Sequence, residues 1–225
     1  MYYQYPGYYK IGRNNNLDSM KSEIRVVGEG RITVQPDVAT ITLGVETENV
    51  ELQKAQSENA LIISEVIQAL TNMGITKENI QTMNFTIFPI YDFVDGQQSF
   101  RGYRVEHMLR VTVDDISKVG MLVDAAVQAG ANRFSNISFS VSNPTKFYRE
   151  ALEMAVNDAT EKAQVIATSL NLTLNSTPVK IIEEKTRLEG PIPFMESQMV
   201  KSATTEIEPG KQEIKALVTA IFHAR

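Results

Sequence analysis

The sequence predicts an α+β fold, a largely antiparallel sheet with helices packed on one face. Stretches in which apolar and polar residues alternate, typical of half-buried strands, occur near both ends of the chain and in its middle. Between them lie segments whose apolar residues recur at helical spacing and that end at a glycine. The resulting order of hairpin, helix, hairpin, helix, strand, helix and hairpin is typical of α+β proteins.

The first two strands are predicted to pair as a hairpin with one buried face. Residues 23–34 alternate between apolar and polar side chains, interrupted by Gly28 and Gly30, which predict a bulge or a bend. A turn at Pro36 follows, and residues 38–48 alternate again.

A second hairpin is predicted from two β-rich runs, residues 82–94 and 103–113. Asp95 and Gly96 between them are typical turn residues. Proline cannot donate to a strand ladder, so Pro89 predicts an edge strand or a bend at that point.

Two helices are predicted to end at glycines. The first follows Asn49, a residue typical of helix caps, and ends at Gly74. The second is short, is capped by Asp114 or Asp115, and ends at Gly130.

The longest helix is predicted to begin at Asn143 and Pro144, since proline is favoured in the first helical turn. Its apolar residues recur on one face, opposite a charged face. The predicted apolar stripe consists of Tyr148, Leu152, Ala155, Ala159, Ala163, Ile166 and Leu170.

The remaining segments read as strands and one long loop. A strand is predicted over residues 134–141, and the last part of the chain contains strands over 179–183 and 213–223. Between these last two lies a loop, residues 185–208, with an apolar tip at 190–195. A loop of that length in a compact domain is usually functional or mobile, so we expect a partner surface, with a disordered excursion as the alternative.

Two regions are distinguished by composition. Residues 1–22 hold five of the eight tyrosines and read as a flexible N-terminal arm. Aromatic and basic residues in such an arm can also stack on single-stranded bases, or form a strand of self-association. Residues 23–225 are expected to form one domain, with two subdomains meeting near Asp114 as an alternative.

Charge and composition exclude several classes of function. The net charge is -5, and the acidic body disfavours general binding to nucleic acid or to anionic membranes. The chain has no cysteine, which excludes disulfides, thiolate metal sites and cysteine nucleophiles. No stretch reaches the roughly 18 apolar residues of a spanning helix, and no secretory signal is recognised, so a cytoplasmic location is expected.

The sequence shows no recognised catalytic or metal-binding pattern. His107 and His223 are the only histidines, lie in predicted strands, and have no acidic companions at metal-ligand spacing. We expect solvent-facing or hydrogen-bonded structural histidines. Dinucleotide, phosphate-loop and serine-hydrolase signatures are missing, so we predict no catalytic, cofactor-binding or metal-binding residues and a protein that is not an enzyme.

Paired acids do not change this expectation. Glu183 and Glu184 are neighbours on a predicted strand and therefore point to opposite faces. A helix-capping role accounts for Asp114 or Asp115 without catalysis.

One basic strip is a candidate binding feature. Arg101, Arg104 and Arg110 fall on or beside one predicted strand, and Arg104 and Arg110 share its parity. They are candidates to bind an anionic ligand, although a solvated sheet face is the simpler interpretation.

An ordered set of residues resembles the SIMPL domain family over about residues 23–225. The set comprises Val27-Gly28-Glu29-Gly30, Pro36-Asp37-Val38-Ala39, Gly44-Val45, Ala55, Asn59, Gly74-Ile75, Ile80-Gln81-Thr82, Pro89-Ile90-Tyr91, Gly102-Tyr103, Gly130-Ala131, Ile137, Phe139, Arg149-Glu150-Ala151-Leu152, Ala159 and Lys162-Ala163.

The resemblance implies a class of function without implying a reaction. Bacterial members of that family include periplasmic or outer-membrane-associated immunogenic proteins, some linked to oxidative-stress tolerance, and an animal relative is a kinase-binding adaptor. Members can build ring-like or channel-like homo-oligomers. The family has no shared enzymatic activity, so no catalytic residues carry over. The present chain differs from the family in its tyrosine-rich arm and in having no recognised signal peptide.

These observations together predict a non-enzymatic, self-assembling scaffold or interaction protein. We expect homo-oligomer contacts through sheet edges and through the loop at 185–208, no nucleic acid and no membrane span. The alternative is a stress protein that binds a small ligand or an anion on its sheet face, with Arg104 and Arg110. An enzyme that uses scattered carboxylates is the third hypothesis.

Overall fold

The computed structural model describes residues 22–184, 205 and 207–225. The tyrosine-rich arm and most of the loop at 185–208 therefore lie outside the described residues. Two short 3-10 helices, Lys77–Asn79 and Ile116–Lys118, accompany the longer elements. In chain order these are β1 (Ser22–Val34), β2 (Val38–Asn49), α1 (Leu52–Asn72), β3 (Ile80–Val94), β4 (Gln97–Val113), α2 (Val119–Gln128), β5 (Arg133–Ser140), α3 (Pro144–Ser169), β6 (Lys180–Glu184) and β7 (Gln212–Ala224).

The α+β fold class is confirmed, and the strands divide between two antiparallel sheets. One sheet has the order β3-β4-β2-β5 and the other the order β1-β7-β6. The predicted pairing of β1 with β2 is wrong. Because β2 is hydrogen-bonded to β4 on one side and to β5 on the other, it has no edge left for β1. Alternation along a strand reports which face is buried and does not identify the neighbouring strand.

The described residues form two compact units. The first contains residues 22–30, 152–184 and 216–225, and the second contains residues 31–151, 205 and 207–215. Their boundaries fall within β1, α3 and β7, and none lies near Asp114.

The core of the second unit lies between the four-stranded sheet and two helices. Alternate residues of β2 and β4 face α1 and α2, as the period of a strand requires. The buried residues of this core are Ala39, Ile41, Leu43, Val45, Ile63, Val66, Leu70, Leu109, Val111, Val113, Val119, Leu122, Ala126 and Ala131.

A buried asparagine ties α1 to this sheet. The Asn59 side chain is 1% exposed, and its Nδ2 donates to the carbonyl oxygens of Val45 at 2.9 Å and Val105 at 3.1 Å. Thr47 Oγ1 also donates to the carbonyl oxygen of Ala55 in α1, at 2.8 Å. Losing a hydrogen bond of a buried group is costly, because water cannot replace the lost partner. These contacts therefore fix the position of α1 on β2 and β4.

Turn and cap chemistry agrees with the sequence prediction at several positions. Gly74 and Gly130 follow α1 and α2 with φ of +95° and +99°, which favours glycine. Asp115 caps the 3-10 helix Ile116–Lys118 that leads into α2, because its side chain accepts a hydrogen bond from the backbone N–H of Ser117. The N-cap of α2 itself is Lys118, whose side chain makes no capping hydrogen bond, so the predicted acidic cap belongs to the preceding turn. The cap of α1 differs from the prediction: Glu51 is the N-cap, and Asn49 Oδ1 accepts from its N–H at 3.0 Å.

In the first unit, α3 approaches β1 closely through alanine and glycine. A Cβ atom at Gly28 would overlap the carbonyl oxygen of Ala155 and lie 2.7 Å from the Cβ of Ala159. Gly28 is therefore needed for the packing of α3 on β1. The sequence analysis predicted only a bulge or a bend at this glycine. The completely buried alanines of α3 in this unit are Ala155, Ala159, Ala163 and Ala167.

The predicted apolar stripe of α3 is only partly correct. Its alanines are buried as expected, whereas Ile166 is 38% exposed and Leu170 is 61% exposed. Residues four apart on a helix lie on one face, and an all-alanine row lets the helix axis approach the sheet more closely than larger side chains would.

We predict that Gly28→Ala destabilises the protein by about 3 kcal/mol, because the added methyl group would overlap a backbone carbonyl oxygen of α3. Urea unfolding followed by circular dichroism measures this. Gly96→Ala is the matched control, because a Cβ there meets nothing within 4 Å and only the positive φ is strained. The control should lose about 1 kcal/mol. Equal losses in the two variants would contradict the close-packing role.

Candidate interaction surface

The hairpin of β3 and β4 extends beyond its neighbouring strand. The last residue pair between β2 and β4 is Asn49 with Tyr103, whereas β3 and β4 stay paired out to Val94 with Gln97. Residues 90–102 are therefore a two-stranded projection, which we call the hairpin arm. The sequence predicts only the first strand of this arm, because residues 97–102 are polar or glycine at most positions and resemble a connection.

A tight turn closes the hairpin arm. Asp95 and Gly96 have φ of +51° and +80°, and positive φ at both central residues is the signature of a type I′ turn. The twist of this turn matches that of paired strands, so the prediction of a turn at these residues is confirmed.

The hairpin arm exposes large apolar side chains. Tyr91 and Phe100 are each 48% exposed, Val94 is 58% exposed and Phe93 is 72% exposed. The ring centroids of Tyr91 and Phe100 lie 5.9 Å apart, and those of Phe100 and Tyr103 lie 5.2 Å apart, all edge to face. A two-stranded hairpin is marginally stable by itself, and clustered exposed apolar groups mark interaction sites.

At the base of the hairpin the same kind of surface continues around His107. Its ring meets Phe85 edge to face with centroids 5.3 Å apart, and its Nε2 lies 3.0 Å from Thr82 Oγ1. Partial burial lowers the pKa of His107. Phe85 and Ile87 remain exposed beside it. The ring of His107 is thus hydrogen-bonded, which is one of the two environments that the sequence analysis expected.

The other face of this sheet carries a connected series of ion pairs, which we call the charge ladder. Arg104 Nε lies 2.6 Å from Glu48 Oε1 and 3.3 Å from Glu46 Oε1. Arg101 also pairs with Glu48, and lies 3.5 Å from Asp92. The complete ladder consists of Asp92, Arg101, Glu48, Arg104, Glu46, Arg133 and Glu106.

Glu48 forms an ion pair between β2 and the hairpin arm. It lies at the end of β2, while Arg101 lies in the arm, beyond the last pair with β2. Hydrogen bonds from Arg104 and then Arg101 lower the pKa of Glu48. Because exposed ion pairs contribute little to stability, we expect the ladder to orient the arm more than to stabilise the fold.

The charge ladder changes the interpretation of the predicted basic strip. Arg104 and Arg110 do share a face, since they pair in register with Glu48 and Thr42 of β2. The charge of Arg104, however, is compensated by Glu46 and Glu48. Sequence reasoning missed Glu48 because it lies 53 residues from Arg101 and 56 residues from Arg104. This arrangement does not favour anion binding.

The outer edge of β3 is poorly suited to accept another strand. Pro89 lies within β3 and has no N–H to donate. The register between β3 and β4 also shifts between Thr82 and Asn84 and between Ile90 and Tyr91. Proline and bulges are common devices that block edge pairing, so this hairpin presents its side chains rather than its backbone.

The other polar residues singled out in the sequence do not converge on one site. His223 Nε2 lies 3.7 Å from Glu23 Oε1. Glu184 accepts a hydrogen bond from Thr219 at 2.9 Å, and Asp114 from Asn79 at 3.4 Å. Within residues 22–184, 205 and 207–225, no group of three or more metal-ligating side chains is found.

The end of the predicted contact loop is fastened to α2. Thr205 donates to Asp124 from its hydroxyl at 2.6 Å and from its backbone N–H at 3.2 Å. A Cβ atom at Gly120 would overlap the carbonyl oxygen of Thr205, so this glycine permits the close approach. Residues 185–204 and 206 lie outside the described residues, and the contact surface expected there stays a prediction.

The fold and this surface define an α+β protein whose most distinctive feature is an exposed aromatic hairpin. The chain belongs to the SIMPL family, described as a protein of unknown function (DUF541), whose model matches residues 24–222. The resemblance stated from the sequence is therefore confirmed.

Several curated proteins are similar to the chain over much of its length. The "26 kDa periplasmic immunogenic protein" of Brucella melitensis is 27% identical over 226 residues, which covers 96% of this chain and 90% of the relative. The same-named protein of Brucella abortus matches to the same extent. "Uncharacterized protein YggE" of Escherichia coli K12 is 28% identical over 140 residues, 62% of this chain and 57% of the relative.

The expected cytoplasmic location is contradicted by these relatives, because the two Brucella proteins are named periplasmic. The described part of the chain has no helix long and apolar enough to span a bilayer.

We predict that Glu48→Gln loosens the hairpin arm. Amide hydrogen exchange at residues 97–102 should become faster at pH 7, and the free energy of unfolding should fall by no more than about 1 kcal/mol, because the pairs are exposed. Glu65→Gln, at an exposed position on α1, is the control.

The same substitution should show a defined pH dependence. The pKa of Glu48 is lowered in the folded state from its ordinary 4.5, so its ion pairs stabilise the fold above that pH. The stability difference between wild type and Glu48→Gln should vanish as the pH falls through the folded-state pKa. A stability difference that did not shrink as the pH fell below 4.5 would contradict the assignment.

Proposed function

We propose that this chain is a non-enzymatic assembly protein whose copies contact one another through the hairpin arm. The observation that carries the proposal is the exposure of Tyr91, Phe93, Val94 and Phe100 on a two-stranded projection. Aromatic side chains of this kind dominate the centres of protein interfaces, since each buries a large apolar area at low entropic cost.

The chemistry of the arm favours a protein partner. Asp95 occupies the turn and Asp92 precedes Phe93, so anionic lipid headgroups would be repelled at the tip. The basic residue of the arm, Arg101, is already paired with Glu48 and Asp92. A second copy of the chain is the occupant we propose, in keeping with the homo-oligomers that the family resemblance implies.

Contact through side chains has a structural consequence for the assembly. Because Pro89 and a bulge at Met83 interrupt β3, the arm is expected to bind by its face rather than by extending the sheet. Where an arm inserts into a different surface of the next subunit, the contact is head-to-tail, and such contacts build closed rings or open filaments.

We predict that Phe93→Ser lowers the mass of the assembly in solution. Phe93 is 72% exposed, so its loss should leave folding intact while it removes apolar contact area. Light scattering coupled to size-exclusion chromatography measures the mass, and Phe93→Ser with Phe100→Ser should have a stronger effect. Circular dichroism checks that both variants are folded.

The matched control is Leu61→Ser with Val165→Ser, two side chains that are 63% and 65% exposed on helices. Their loss should leave the mass unchanged. A wild-type protein that is monomeric at every concentration, or equal effects of both pairs of substitutions, would overturn the proposed function.

We also propose a periplasmic location, supported by the names of the Brucella relatives. Osmotic-shock fractionation of the cells that produce the chain, followed by antibody detection, tests it. The protein should be released together with a periplasmic marker enzyme. Retention with a cytosolic marker would show that the location differs from that of the relatives.

A further inference from the structure

The edge strand β6 differs from the edge strand at the other side of its sheet. In the order β1-β7-β6, the described strands leave one edge of β1 and one edge of β6 without a neighbour. On β1 that edge is closed by α3. Lys162 Nζ donates to the carbonyl oxygen of Val27 at 3.0 Å, and Asp158 accepts from the N–H of Glu29 at 2.8 Å. Alternate residues of a strand direct their backbone groups to the same edge, so two side chains cover successive positions there.

In contrast to the edge of β1, the free edge of β6 is not covered by side chains of the described helices. All five residues of Lys180–Glu184 are exposed, and Ile181 and Ile182 are 46% and 36% exposed. The described strands pair with β6 only on the side of β7. An exposed edge with isoleucines and no proline is a template for strand addition, which proteins normally suppress as α3 does on β1.

The charge pattern of β6 favours a second copy of β6 as its partner. Lys180, Ile182 and Glu184 alternate along the strand and therefore share one face, opposite Ile221, Thr219 and Leu217 of β7. If a second β6 runs antiparallel with Ile182 facing its own copy, Lys180 of each strand faces Glu184 of the other. In this register the charges of the two β6 strands are complementary. If the two-fold axis lay at Glu183 instead of Ile182, Glu183 would face its own copy.

We infer that β6 pairs with β6 of a second copy about a two-fold axis at Ile182, joining two three-stranded sheets into one sheet of six strands. The inference rests on the proposed self-assembly and assigns it a second, distinct contact. Glu184 is already oriented on the shared face, since its Oε1 accepts a hydrogen bond from Thr219 Oγ1 at 2.9 Å. Cross-strand pairs of opposite charge stabilise antiparallel pairing, and like charges directly opposite oppose it.

Charge reversal tests the register. Lys180→Glu and Glu184→Lys each place like charges opposite one another twice per dimer and should weaken dimerisation about tenfold or more, measured by sedimentation equilibrium. The double variant Lys180→Glu with Glu184→Lys restores opposite charges and should regain the wild-type dimer. Thermal melts confirm that each variant is folded.

A cysteine cross-link tests the two-fold axis directly, and the chain has no cysteine of its own. Ile182→Cys places the two thiols opposite each other, within the reach of a disulfide, so mild oxidation should yield a covalent dimer. Val179→Cys, at a side chain that is 50% exposed, is the control and should remain uncrosslinked because its copy lies six residues away along the strand pair.

The outcomes separate this inference from the function of the hairpin arm. Single charge reversals that leave the dimer intact, a double variant that fails to regain it while folded, or equal cross-linking at positions 179 and 182 would each overturn the β6 pairing. The arm variant Phe93→Ser should still cross-link through Ile182→Cys. Suppose that this variant still cross-links and that Phe93→Ser leaves the mass of the larger assembly unchanged. The β6 pairing is then supported, and the proposed role of the arm is wrong.

Discussion

The constraint on which the rest of the structure depends is that backbone groups at a sheet edge are a template for another strand unless they are paired, covered or interrupted, and water satisfies those left open. The chain solves this differently at three of the four sheet edges, those of β1, β3 and β6. Side chains of α3 cover β1, and Pro89 with a bulge at Met83 interrupts β3. On β6 the described residues supply neither device. Because β1 is covered and β3 is interrupted, we expect strand pairing between copies at β6.

Close packing of α3 is what makes the cover on β1 effective. The row of alanines and Gly28 bring the helix within reach of the strand, so Asp158 and Lys162 can contact its backbone. Their own pair, with Nζ 2.7 Å from Oδ2, lowers the pKa of Asp158 and keeps the carboxylate charged as an acceptor. Small side chains, rather than large apolar ones, are thus the determinant of this contact.

The hairpin arm combines two faces of different chemistry. Aromatic side chains supply contact area, while the charge ladder orients the projection through Glu48 and Arg101. An oriented arm loses less conformational entropy when it binds than a mobile one, so weak surface ion pairs can influence assembly more than stability. Sequence inspection found the arginines of this ladder and the turn of the arm. It did not find the acids, because antiparallel pairing of β2 with β4 brings together residues more than fifty positions apart.

The sequence by itself determined the α+β class, the helix ends at Gly74 and Gly130, the turn at Asp95 and Gly96, and the family, because these depend on local backbone preferences and on residue order. Only the tertiary structure decided that β1 pairs with β7 instead of β2, that Gly28 serves helix packing, and which edges are covered. Those features depend on contacts between distant segments, and an alternating strand has the same pattern whichever neighbour it has.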